Sequence, residues 1–97
     1  MTHLLFEWDP KKEVSNVAKH GVSFSEAQTA FTDEFARLIP DPDHSDDEDR
    51  FILLGTSIGS RLLVICHCVR LEDSIRIISA RKAQKQERKA YEEFRNA

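Results

Sequence analysis

Residues 50–58 and 61–70 are two strand-length runs, rich in apolar and β-branched side chains, with only Gly59 and Ser60 between them. A break that short, made of turn residues, reverses the chain and makes the pair a β-hairpin. A second polar turn at residues 71–74 leads into a third run at residues 75–79. Three strands joined by such short turns must lie side by side and antiparallel, and the remaining segments have to cover them.

Those remaining segments have clear patterns. Residues 3–8 alternate, so Leu4, Phe6 and Trp8 share one face of a half-buried strand. Asp9 and Pro10 form an N-cap and first helical position. Val14, Val17 and Ala18 follow at i, i+3, i+4 and predict a buried stripe on the first helix. Lys19 and His20 suit the last turn, and Gly21 closes it. Ser23 through Glu26 match a capping box, opening a second helix that buries Phe24, Ala27 and Phe31 and ends near Asp33. Residues 35–39 form a short strand stopped by Pro40. Residues 41–49 hold six acids and read as an exposed loop with one helical turn at residues 46–48. Helix formers fill residues 80–94, with Ser79 as the N-cap. The order β-α-α-β-β-β-β-α predicts a single α+β domain over residues 1–97, an antiparallel sheet with helices on one face.

Net charge is −3, which gives no sign of nucleic-acid binding, but its distribution does. Residues 76–97 carry seven Lys/Arg and three acids, a charge of +4, while residues 1–75 carry −7. A basic end on an acidic body attracts phosphate or an acidic partner. No apolar run reaches the ~20 residues of a membrane helix, and no secretory signal is visible, so a cytoplasmic location is expected. Cys66 and Cys68 read as reduced core cysteines, since an i, i+2 bridge closes almost no loop. Strand alternation sends His67 to the opposite face from both, so no metal site is expected there. No cofactor is expected.

Several segments resemble the BrnT family of type II toxins. They are Phe6 to Asp9, Asn16 and Lys19-His20-Gly21-Val22 with Phe24 and Ala27, then Asp41, His44, Glu48 and Arg50, then Gly59 and Arg61. The last is Arg76-Ile77-Ile78-Ser79-Ala80-Arg81, followed by Ala83, Glu87, Arg88 and Tyr91. The loop at residues 41–49 is more acidic than the family pattern. The resemblance implies a RelE-like fold and RNA cleavage that halts translation. It also implies neutralisation by a BrnA antitoxin with a ribbon-helix-helix DNA-binding part, so DNA is met only through that partner.

Cleavage of RNA without metal uses the substrate's 2′-hydroxyl as nucleophile. The protein must move protons and stabilise the charged phosphorane. Histidine suits the first task and Arg or Lys the second. Lys19, His20, Arg61 and Arg81 are the catalytic candidates. His20 is the leading acid or base, and its alternative role is to satisfy a helix end. His44 is its rival, set among repelling acids; His67 reads as a core histidine, and His3 carries no signal. Arg61 opens a strand beside Gly59. Arg81 falls in the first turn of the expected last helix, where a cation opposes the helix dipole and points to a bound anion. Arg76, Lys82, Lys85, Arg88 and Tyr91 are candidates for RNA contact, although a solvated charged face and a core tyrosine are the ordinary readings. Glu87 stands in an apolar stripe and needs a partner, with Arg50 or Arg76 available. The alternative function is a non-enzymatic module that grips a DNA-binding protein and tunes its repression.

Overall fold

The structure is a computed structural model that describes residues 4–41, 50–70 and 73–97. His3, His44 and the helical turn expected at residues 46–48 lie outside the described residues.

The element order is the expected one. Strand β1 (Leu5–Glu7) leads to helix α1 (Pro10–His20), helix α2 (Phe24–Thr29) and a 3₁₀ turn (Ala30–Thr32). Strands β2 (Arg37–Pro40), β3 (Arg50–Thr56), β4 (Leu62–Val69) and β5 (Ser74–Lys82) follow, then helix α3 (Lys85–Arg95). The sheet order is β1-β5-β4-β3-β2. Strands β2 to β5 are antiparallel, and β1 adds in parallel against β5, so the sheet is mixed.

Both faces of the sheet are covered, not one. Leu53, Leu63, Ile65, Ile75, Ile77 and Ala80 meet Val22, Phe24, Ala27 and Ala30 on the first face. Leu54, Leu62 and Val64, which alternate with them, meet Tyr91 of α3 on the second. The β3–β4 turn is closed by Ser57 N–H donating to the Arg61 carbonyl at 2.8 Å. Ser60, not Gly59, adopts positive φ there (64°).

Three local expectations need correction. The stripe on α1 points outward: Val14 is 71% exposed and Val17 44%, and the buried residue of α1 is Asn16. Glu26 does not close a capping box on α2. The Ser23 hydroxyl accepts from Glu26 N–H as an N-cap should, but the Glu26 carboxylate accepts from Arg61 and Ser57, and the Phe24 and Ser25 N–H groups donate to Glu13. The last helix starts late. Ala80, Arg81 and Lys82 pair with Ile65, Val64 and Leu63 as strand. Ladder hydrogen bonds outweigh the small helix preference of these residues. Gln84 is the N-cap, and its N–H donates to Glu87 Oε1 at 2.7 Å.

Cys66, half-buried, and Cys68, buried, are thiols on β4 with no disulfide between them. Burial, with Asp41 nearby, pushes the Cys66 thiol up to about 11, which leaves it protonated and unreactive at neutral pH. His67 is a core histidine, 1% exposed, with Nδ1 3.2 Å from the Ile65 carbonyl and Phe31 edge-on to its ring. Burial holds its pKa below the ordinary 6.5. Below that pH the unfolded chain takes up a proton that the folded chain refuses, so stability is full above about 6.5 and falls as pH drops. The slope from one such group is at most about 1.4 kcal/mol per pH unit. Denaturation midpoints of wild type should therefore fall between about pH 6.5 and 5, above the carboxylate range. His67→Leu should flatten that fall, and an equal slope in both proteins would refute the assignment.

Candidate nucleic-acid interface

Helix α1 lies against β5 on the first face of the sheet, and one side chain does most of the joining. The Asn16 amide donates to the Val22 carbonyl at 2.8 Å and to the Ala80 carbonyl at 2.7 Å. Its oxygen accepts from Ala80 N–H at 3.2 Å. This brings the lysine-bearing side of α1 over β5. A cleft of about 340 Å³ opens between them, lined by Lys11, Lys12, Ser15, Lys19, His20 and Ser79 among others.

The strand contributes through an irregularity. Cys66 of β4 pairs with Ser79 and His67 with Ile77, so Ile78 is an extra, unpaired residue. This bulge interrupts the alternation of β5 and presents both Ile78 and Ser79 to the cleft. Bulges recur beside functional sites because they re-aim side chains in this way.

Arg61 stands at the C-terminal end of α1. Its Nη2 donates to the Gly21 carbonyl at 3.1 Å, next to His20 in sequence. Gly21 holds the left-handed conformation (φ 70°) that ends the helix, which glycine adopts without strain. Glu26 clamps the guanidinium, accepting from Nε at 2.9 Å and also from Nη2. The Ser57 hydroxyl donates to the same carboxylate at 2.7 Å. The Arg61 hydrogen bond holds Glu26 below the usual carboxylate range against the opposing effect of burial. Lys82 lies close enough to lower it further. The clamp fixes Arg61 and leaves Nη1 without an acceptor among the described residues.

Lys19, His20 and Arg61 are thus gathered at one end of α1, with Lys82 beside Arg61. Arg81 is not with them. It pairs in the ladder with Val64, on the face that α3 covers, and it is a strand residue rather than a first-turn helix residue. Its guanidinium binds Glu87 through two hydrogen bonds of 2.8 and 2.7 Å. No helix dipole therefore opposes Arg81, and Glu87 has Arg81 as partner rather than Arg50 or Arg76. Each member favours the charged form of the other, raising the Arg81 pKa and lowering that of Glu87.

The RNA-contact candidates also disperse. Tyr91 is 5% exposed, and its hydroxyl donates to Asp33 at 2.5 Å, so its ring is not offered to a base. Burial raises its pKa, and the Asp33 carboxylate adds to that. Lys85 and Arg88 are exposed on α3. Arg76 lies at the β1 edge, 3.8 Å from Glu7.

Sequence reasoning missed Lys11, Lys12, Ser15 and Glu26. The signal for the first two was present. They occupy the first turn of α1, where a cation opposes the dipole, the rule applied to Arg81 at the wrong place. A larger cavity of about 520 Å³ lies beside Thr29, Thr32 and Asp33, but its lining has no basic residue and includes a carboxylate. It is the poorer match to a polyanion.

The geometry lines one cleft with lysines along the length of α1 and gathers Lys19, His20 and Arg61 at its C-terminal end. Comparison with known proteins gives the family and the fold. The family profile described as "Ribonuclease toxin, BrnT, of type II toxin-antitoxin system" matches residues 8–87. The crystal structure of the Brucella abortus ribonuclease toxin BrnT superposes with a TM-score of 0.64 at 22% identity. The match covers 88% of this chain and all of that one, and it supports the α+β fold. No curated protein matches this chain. With the family profile spanning most of its length, the chain belongs to the BrnT family of ribonuclease toxins of type II toxin–antitoxin systems.

Proposed function

We propose that this chain is an endoribonuclease that cleaves RNA without metal in the cleft between α1 and β5 and so halts translation. The observation that carries the proposal is that the cleft joins Lys11, Lys12, Lys19 and His20, with Arg61 held at the same helix end. In the reaction the substrate's 2′-oxygen attacks the adjacent phosphorus as the bond to the 5′-oxygen breaks. The products are a 2′,3′-cyclic phosphate and a 5′-hydroxyl. His20 takes the proton of the 2′-hydroxyl or supplies the one that the departing 5′-oxygen needs, and water exchanges the other proton. Lys19 and the Nη1 end of Arg61 balance the added negative charge of the phosphorane, and Lys11 and Lys12, about 12 Å or more along the helix from His20, hold neighbouring phosphates. The Ser15 and Ser79 hydroxyls are hydrogen-bonding groups for the flanking ribose or phosphate.

The partner in this reading is a BrnA-like antitoxin with a ribbon-helix-helix part, which contacts DNA on behalf of the complex. The cytoplasm, where RNA and ribosomes meet, is the place of action. The test is expression of the chain alone in bacteria, together with incubation of purified protein and naked RNA with excess chelator. Growth arrest with RNA ending in cyclic phosphates, and cleavage that survives chelation, are the expected results. Continued growth at confirmed soluble expression, with RNA intact both in cells and in vitro, would overturn the reading in favour of a binding module. Cleavage abolished by the chelator would overturn its metal-free part.

A further inference from the structure

Helix α1 is amphipathic the wrong way round for a helix of an isolated domain. It turns Asn16 to the sheet and Val14, Val17 and Ala18 to the outside. These three sit at i, i+3, i+4 and form one continuous stripe. A lone exposed valine needs no explanation. A stripe of three on the helix that builds the proposed site is a different matter. Lys11, Ser15 and Lys19, spaced i, i+4, i+8, form the next row round the helix, and that row is the lip of the cleft.

We infer that the exposed stripe of α1 is the docking surface for the antitoxin, whose binding segment anchors apolar side chains on Val14 and Val17. The same segment directs acidic side chains over Lys11 and Lys19. Two observations select this occupant. Membership of a type II toxin family implies a protein partner that silences this chain, and the stripe is bordered by cations that an acidic flank would complement. The rest of the chemistry follows from position. A segment seated on the stripe, with its carboxylates across the lip, fills the cleft that RNA phosphate would enter. The rival apolar groove, about 230 Å³ and lined by Ile39, Leu54 and Ala90, lies against α3 on the second face. A partner held there would leave the α1–β5 cleft open.

The inference rests on the proposed cleft only for the way binding silences the toxin. The binding measurement stands by itself. The probe is a cognate BrnA-like antitoxin, titrated against wild type and an uncharged Val14→Ser/Val17→Ser variant. Both positions are exposed and neither lines the cleft, so folding and RNA cleavage should match wild type. Antitoxin affinity should fall by about 30-fold or more, the size of a lost anchor pair, and the antitoxin should no longer stop cleavage by the variant. Affinity within about threefold of wild type would overturn the inference, because a site elsewhere would tolerate both polar side chains. So would loss of cleavage with binding intact, which would assign the stripe to the substrate. So would loss of a wild-type dimer with antitoxin binding unchanged, which would assign it to a second copy. If wild type itself cleaves no RNA but the variant loses the antitoxin, the docking surface stands and only the proposed function falls.

Discussion

Replacing His20 with alanine is expected to slow RNA cleavage by about 10²–10⁴-fold, the range for losing a general acid or base. Stability should barely change. Substitutions at partly exposed sites without buried partners usually stay within about 0.5 kcal/mol, and His20 is only half-buried. The contrast with two arginines makes the expectation sharp. Arg61→Ala should also slow cleavage, but it strips Glu26 of the hydrogen-bonded cation that lowers its pKa, so some stability goes with it. Arg81→Ala should loosen the start of α3, where Glu87 binds both Arg81 and Gln84 N–H, and should leave cleavage largely intact. Single-turnover rates on a defined RNA, paired with melting temperatures, separate the three variants. A His20→Ala protein that cleaves within about threefold of wild type would remove histidine from the chemistry. An Arg81→Ala protein that folds normally but does not cleave would move the active centre to the other face of the sheet.

Sequence and structure part company at particular residues, each for a physical reason. The hairpin of β3 and β4 was legible because its turn is short and its strands are uniformly apolar. The ends of α1 were legible because capping depends on local chemistry alone: Asp9 accepts from Lys11 N–H at 2.9 Å, and Gly21 N–H donates to the Val17 carbonyl. What sequence could not supply was tertiary context. Residues 80–82 have helix-forming side chains, yet their neighbours in β4 make them strand. Val14, Val17 and Ala18 have the spacing of a buried stripe, yet the sheet meets the helix on the side of Asn16. Glu26 has the position of a capping-box acid, yet a strand 35 residues later delivers Arg61 to it. The bulge at Ile78, which opens the cleft, depends on register between two strands and leaves no mark in either one.

The orientation of α1 therefore hangs on a polar residue, and substituting Asn16 should be among the most damaging single changes in the chain. Asn16 is 7% exposed and meets two carbonyls and one N–H. Only an amide with its NH₂ toward the carbonyls satisfies all three. Asn16→Ala strands these groups beside the cleft that Asn16 helps to line, at about 1–3 kcal/mol for each buried group left unpaired, or about 3–5 kcal/mol together. Asn16→Asp is the more discriminating variant. It keeps the shape but offers only acceptors, and an ionised carboxylate facing two carbonyl oxygens is repelled. It should therefore destabilise the protein at least as much as alanine, although the side chain differs by one group. Urea denaturation of both variants gives the cost, and hydrogen exchange of the α1 amides shows where it falls. Exchange should rise first in α1, because Val14 and Val17 contribute little burial to hold it, and the cleft should disappear with it. An Asn16→Asp protein within about 1 kcal/mol of wild type would show that the three bonds do not hold the helix, and that Val22 and Phe24, buried just beyond its end, fix it instead.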